Sequence, residues 1–96
     1  MEIKIKAIHF DIADKLVAFT NKKIDKLTRR FEFISDVEVA YTLEKPEAAL
    51  NKTAGVTIAA PGVNLFASKT ADTFEEALDN ALDGLEKQLD KHKERK

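Results

Sequence analysis

Two stretches of this chain repeat their apolar residues once per helical turn, while four shorter ones alternate apolar and polar residues at period two. That switching constrains the fold most, because a helical stripe and a strand face can be buried only in different elements. From Asp14 to about Phe31, the residues Leu16, Thr20, Ile24, Leu27 and Phe31 share one narrow sector of a helical wheel, with Phe19 at its border. From Thr73 to about Lys93, Phe74, Ala77, Leu78, Ala81, Leu82, Leu85 and Leu89 do the same. The second helix opens with Asp72 or Thr73 as cap and Glu75 and Glu76 in its first turn. It should run for about 21 residues, or ~31 Å. The first has a weaker entry, since Ala13 stands where a capping Ser or Thr would satisfy free N–H groups.

The strands are equally patterned. Glu2 to Lys6 alternates, with Ile3, Ile5 and Ala7 on one face. Ser35 to Glu44 places Val37, Val39, Tyr41 and Leu43 inward and Asp36, Glu38 and Thr42 outward. Lys45 to Asn51 carries Pro46 and no period, and predicts a loop. Val56, Ile58 and Ala60 then alternate with Thr57 and Ala59, and Ala60-Pro61-Gly62-Val63 is turn chemistry leading into Leu65 and Ala67. The order is βαβββα, and two helices with single apolar stripes need one sheet face to cover. An α+β fold follows, a two-layer sandwich with a four-stranded sheet and two roughly parallel helices on one face. A right-handed crossover through the first helix makes strands one and two parallel, and two hairpins then return strand four to the same direction. Both helices run back the other way, so their C-terminal ends meet at one edge.

At 96 residues the chain is expected to be a single domain over 1–96. Sixteen bases against seventeen acids give a formal net charge of −1, which excludes a wholesale basic surface and requires any nucleic-acid site to arise by local clustering. No Cys is present, so there is no disulfide framework, thiol nucleophile or thiolate zinc site. No apolar run reaches ~18 residues and Met1 leads straight into an alternating segment, so the expected location is cytoplasmic, with no membrane partner.

The charge is clustered. Between Lys15 and Arg30 stand six bases (Lys15, Lys22, Lys23, Lys26, Arg29, Arg30) against the single acid Asp25, a balance of +5. They occupy one flank of the apolar stripe, with Asp14, Asp25 and Glu32 opposite. The second helix is split lengthwise, with Asp72, Glu75, Glu76, Asp79, Asp83 and Glu86 first and Lys87, Lys91, Lys93, Arg95 and Lys96 last. The helix macrodipole accounts for that split. It does not account for the first helix, whose bases begin in the first turn and oppose the dipole. A phosphate-tracking surface does, made from the converging ends of both helices.

Other constellations carry less. His9 and His92 lack metal-ligand spacing, and no glycine-rich phosphate loop or nucleophile elbow occurs, so no catalytic residue, metal, cofactor or small-molecule substrate is expected. Asp79, Asp83, Glu86 and Asp90 share a helix face, best explained as solvated. Phe66, outward on strand four, could stack on a base, although ordinary partial burial explains it better.

The tail Leu85-Glu86-Lys87-Gln88-Leu89-Asp90-Lys91-His92-Lys93 resembles the L-x-[RK]-Q-L-x-K-H-K signature of the ribosome hibernation-promoting factor and ribosome-associated inhibitor family, long labelled sigma-54 modulation proteins. Lys23-Ile24-Asp25-Lys26-Leu27 resembles the family's K-x-x-K-L, Ala67-Ser68 its last strand, and Ala77-Leu78-Asp79 its A-I-[DN]. The resemblance implies the same βαβββα order and a non-enzymatic factor that docks on the small ribosomal subunit, in the channel for messenger and transfer RNA, and blocks translation. It carries ribosomal-RNA contacts to Lys23, Lys26, Lys87, Lys91 and Lys93 by motif position. With the charge clustering, the expected RNA-binding set is Lys22, Lys23, Lys26, Arg29, Arg30, Lys87, Lys91, His92 and Lys93. A short form is expected, without the dimerisation domain of longer members. Gly84 stands where the family usually has Lys, and the aromatic of its M-Y pair appears one residue early as Phe74. The alternative reading is a protein-interaction module that pairs through an open sheet edge.

Overall fold

The structure, a computed structural model, describes residues 2–45 and 50–94. Pro46 in the expected loop and Arg95 and Lys96 in the basic tail lie outside the described residues. The elements are β1 (Glu2–Ile8), α1 (Asp14–Arg30), β2 (Asp36–Leu43), β3 (Lys52–Ala60), β4 (Val63–Ala71) and α2 (Phe74–Glu94), in the expected order.

The sheet order is β1-β2-β3-β4, with β1 parallel to β2 and the other neighbours antiparallel. The parallel pair is joined by α1, as such a pair needs a crossover. β3 and β4 are joined by Pro61 and Gly62, whose φ of +80° is the left-handed value that a second central turn residue needs and glycine tolerates. β3 begins at Lys52 rather than near Val56, since pairing continues to Leu43↔Lys52 and Lys52↔Ala71.

One sheet face is covered. Val37, Val39, Tyr41, Ala54, Val56 and Ile58 are buried against Leu16, Ile24 and Leu27 of α1 and Ala77, Leu78, Ala81, Leu82, Leu85 and Leu89 of α2. Deep in this layer, the Thr20 hydroxyl donates to the Leu16 carbonyl at 2.7 Å and lies 2.6 Å from the Tyr41 hydroxyl. With the threonine's single proton so engaged, Tyr41 is the donor, and two buried polar groups are satisfied. Burial, with the Glu75 and Asp79 carboxylates adding, pushes the Tyr41 hydroxyl up to about 12.

The helices are capped as their sequences dictate. Ala13 precedes α1 with no side-chain cap, whereas Thr73 Oγ1 accepts from the Glu76 backbone N–H at 3.0 Å to open α2. Phe74 stacks on Phe10 with centroids 4.5 Å apart and meets Tyr41 edge-on at 5.3 Å, which ties the start of α2 to the β1–α1 connection.

Candidate nucleic-acid interface

Ion pairs fix how the two helices lie. Lys23 meets Asp79 at 3.2 Å and Arg30 meets Glu86 at 3.8 Å, so seven residues along α1 match seven along α2 and the helices run parallel. Their C-terminal turns therefore stand at the same edge, as the topology requires.

The nine predicted RNA-binding residues divide by their surroundings. Lys22, Lys26, Arg29, Arg30, Lys87, Lys91 and Lys93 are exposed, and Lys23 and His92 are half-buried. Arg29 pairs with Asp25 one turn back at 2.9 Å, so Asp25 borders the basic flank rather than standing opposite it as expected, because residues four apart are neighbours on a helix. Lys23 also lies 5.3 Å from the centre of the Phe19 ring, and Arg30 4.8 Å from that of Phe31. His92 turns its ring to Phe33, 5.3 Å away, and helps seat the last turn of α2 against the segment after α1. Among the described residues, Lys22, Lys26, Lys87, Lys91 and Lys93 have no ion-pair partner and stand free for an external phosphate.

The acidic face of α2 is not simply solvated, contrary to the expectation from sequence. Arg30 Nη2 lies 3.0 Å from both carboxylate oxygens of Asp90, while Asp79 engages Lys23 and Glu86 engages Arg30. An open groove of about 240 Å³ runs between the helices, lined by Lys23, Lys26, Leu27, Asp79, Leu82, Asp83 and Glu86. Lys87 and Lys91 follow Glu86 and Asp90 by one residue each, so they stand about 100° further round α2. The basic ends thus converge at one edge with a row of carboxylates between them. The spacing of Asp79, Asp83, Glu86 and Asp90 signalled the row, but only the helix packing shows what it faces.

Among the described residues, nothing packs over the opposite sheet face. Across it run the rows Lys4–Glu38–Thr57–Phe66 and Lys6–Ala40–Gly55–Ser68. Lys6 bonds Glu38 at 2.9 Å and holds that carboxyl below its usual range. Phe66 is 63% exposed, more than the partial burial expected, and its ring lies over Gly55, 3.5 Å from where a Cβ would stand. β1 and β4 are both edge strands.

Residues 3–96 match the family described as "Sigma 54 modulation protein / S30EA ribosomal protein". The chain belongs to this family. Among its S30EA relatives, a ribosome hibernation promoting factor of Azotobacter vinelandii is 32% identical over 95 residues, 99% of this chain and 85% of that protein. That of Escherichia coli strain K12 is 30% identical over 95 residues, 99% of this chain and 96% of that protein. The solved structure of a ribosomal subunit interface protein from Coxiella burnetii superposes with a TM-score of 0.86 at 26% identity, covering 97% of this chain and 98% of that one. The α+β architecture is therefore that of solved ribosomal subunit interface proteins. Within this S30EA chain, the early aromatic Phe74 has found a partner in Phe10, and Gly84 faces open space, with nothing within 4 Å of where a Cβ would stand.

Proposed function

We propose that this chain is a cytoplasmic ribosome hibernation factor that docks on the small ribosomal subunit and silences translation by occupying the channel for messenger and transfer RNA. Association with the ribosome rests on membership of the S30EA family and on relatives named as hibernation factors that align over 99% of the chain. The family is one of non-enzymatic ribosome-binding proteins, and no catalytic step is assigned to this member.

The observation that carries the finer reading is the set of unpaired bases that the parallel helices present together, Lys22 and Lys26 along α1 and Lys87, Lys91 and Lys93 at the edge where both helices end. Flexible ammonium groups on a rigid helix pair suit phosphates presented by a folded RNA, where affinity comes from counterion release and selectivity from shape. Arg29 and Arg30 reach the same edge by exchanging a carboxylate for a phosphate. His92, half-buried against Phe33, stands at the same edge and seats the last turn of α2 there.

The test is cosedimentation of the purified chain with small subunits across a salt series. Binding should be strong at ~50 mM and largely lost by ~200 mM salt. Binding indifferent to salt would instead favour strand addition at an open edge, for which β4 is the candidate because it is nine residues long and carries one charge, Lys69.

A further inference from the structure

We infer that the acidic face of α2 is a built-in competitor for the bases of α1, a carboxylate row that stands where RNA phosphates would bind and so makes this protein selective for RNA of matching shape. The inference rests on the ribosome-binding reading and adds to it the residues that set its selectivity.

Three observations carry it. Asp79, Glu86 and Asp90 each hold a base of the predicted RNA surface, at 3.2 Å for Lys23 and at 3.8 and 3.0 Å for Arg30. Arg30 faces both oxygens of Asp90 through one nitrogen, a site that two oxygens of a phosphate could also fill. The pairs are open to solvent rather than sealed, since Arg30 and Asp90 are 51% and 44% exposed, so an incoming anion can reach them.

The consequence follows from exchange. When a phosphate takes Lys23 or Arg30, it displaces a carboxylate that was already neutralising that base, and few counterions are released. A flexible polyanion with no fixed shape gains little from such an exchange and is left with only the unpaired lysines. A folded RNA that reaches the unpaired lysines and the groove together makes enough contacts to displace the carboxylates. Selectivity then comes from a penalty set against the wrong partner.

The test compares the unaltered chain with the triple variant Asp79→Asn, Glu86→Gln, Asp90→Asn, using purified small subunits and poly(U) as probes. Carboxamides keep the side-chain shapes, and melting curves confirm that each variant is folded. The triple variant should bind poly(U) on the order of ten-fold more tightly, with a salt slope steeper by up to ~1.4 for two bases set free on single-stranded RNA. Its binding to small subunits should gain less, so the ratio of the two affinities falls. Adding Lys23→Gln and Arg30→Gln to the triple variant should cancel the gain on poly(U).

A matched control, Glu2→Gln, Glu32→Gln and Asp36→Asn, makes the same charge change at exposed acids outside the groove. Equal gains in the control and groove variants would reduce the effect to net charge and overturn the inference. Unchanged or weaker poly(U) binding by the groove variant would overturn it too, since the carboxylates would then be inert or would orient the bases. If the unaltered chain fails to bind small subunits, the functional reading fails, while the poly(U) comparison still decides whether the carboxylates compete.

Discussion

Arg30 of α1 places Nη2 at 3.0 Å from both carboxylate oxygens of Asp90 on α2, sixty residues away in the chain. A pair this exposed contributes at most about 1 kcal/mol to folding, because solvent screens it and two long side chains must be held in one geometry. A double-mutant cycle over Arg30→Gln and Asp90→Asn, read by urea unfolding, should give a coupling below about 1 kcal/mol. A much larger coupling would mean that the pair serves to hold the helices together.

The Tyr41 hydroxyl gives the fold a signature at high pH. Its ionisation is moved from the ordinary 10.0 to about 12, so the neutral form is favoured in the folded protein. The sign is that of a raised group: the stabilisation is complete below pH 10 and is lost as pH rises through 12. Thermal melts should therefore lose stability between these values, and Tyr41→Phe should lack that component. The same substitution should cost about 1 kcal/mol at neutral pH, since Thr20 keeps its bond to the Leu16 carbonyl.

Gly84 separates helix stability from charge. With nothing within 4 Å of a Cβ, Gly84→Ala should stabilise α2 by up to about 1 kcal/mol and raise the melting temperature by about 4–8 °C. Gly84→Lys should also raise it, and should in addition tighten binding to small subunits with a steeper salt slope. If Gly84→Ala tightens binding as much as Gly84→Lys, helix order rather than charge limits affinity.

Leu85 tests the layer arrangement. Its side chain is fully buried, so Leu85→Ala should cost about 2–5 kcal/mol and Leu85→Asp should abolish cooperative unfolding. An unaltered melt for Leu85→Asp would contradict the packing of α2 on the sheet.

The fold was legible because each element declares its period. Leu16, Thr20, Ile24 and Leu27 mark the buried side of α1, and Val37, Val39 and Tyr41 that of β2, at the positions where the structure buries them. Thr53, Ala54 and Gly55 have no such alternation, so the first half of β3 was hidden until its backbone pairing was seen; the Thr53 and Thr70 hydroxyls, 2.8 Å apart, mark that pairing on the face opposite the helices. The candidate site was legible as charge but not as partnership. Nothing in the sequence distinguishes Lys23 and Arg30, which α2 engages, from Lys22 and Lys26, which have no ion-pair partner among the described residues. That difference depends on which side of α1 faces its neighbour, a property of helix packing rather than of helical spacing alone.

If free lysines on the two helix ends grip ribosomal RNA, neutralising them in place is the most direct test. The measurement is the salt-dependent affinity of the triple variant Lys26→Gln, Lys87→Gln, Lys91→Gln for purified small subunits, beside Lys4→Gln, Lys45→Gln, Lys69→Gln as a matched charge change elsewhere. The helix variant should bind weakly, lose its inhibition of translation in parallel, and show a salt slope shallower by up to about 1 for each phosphate-binding lysine neutralised, with its melting curve nearly unchanged. The control should keep most of the affinity and most of the slope. Equal losses in both variants, or a helix variant that binds as the unaltered chain does, would contradict the account.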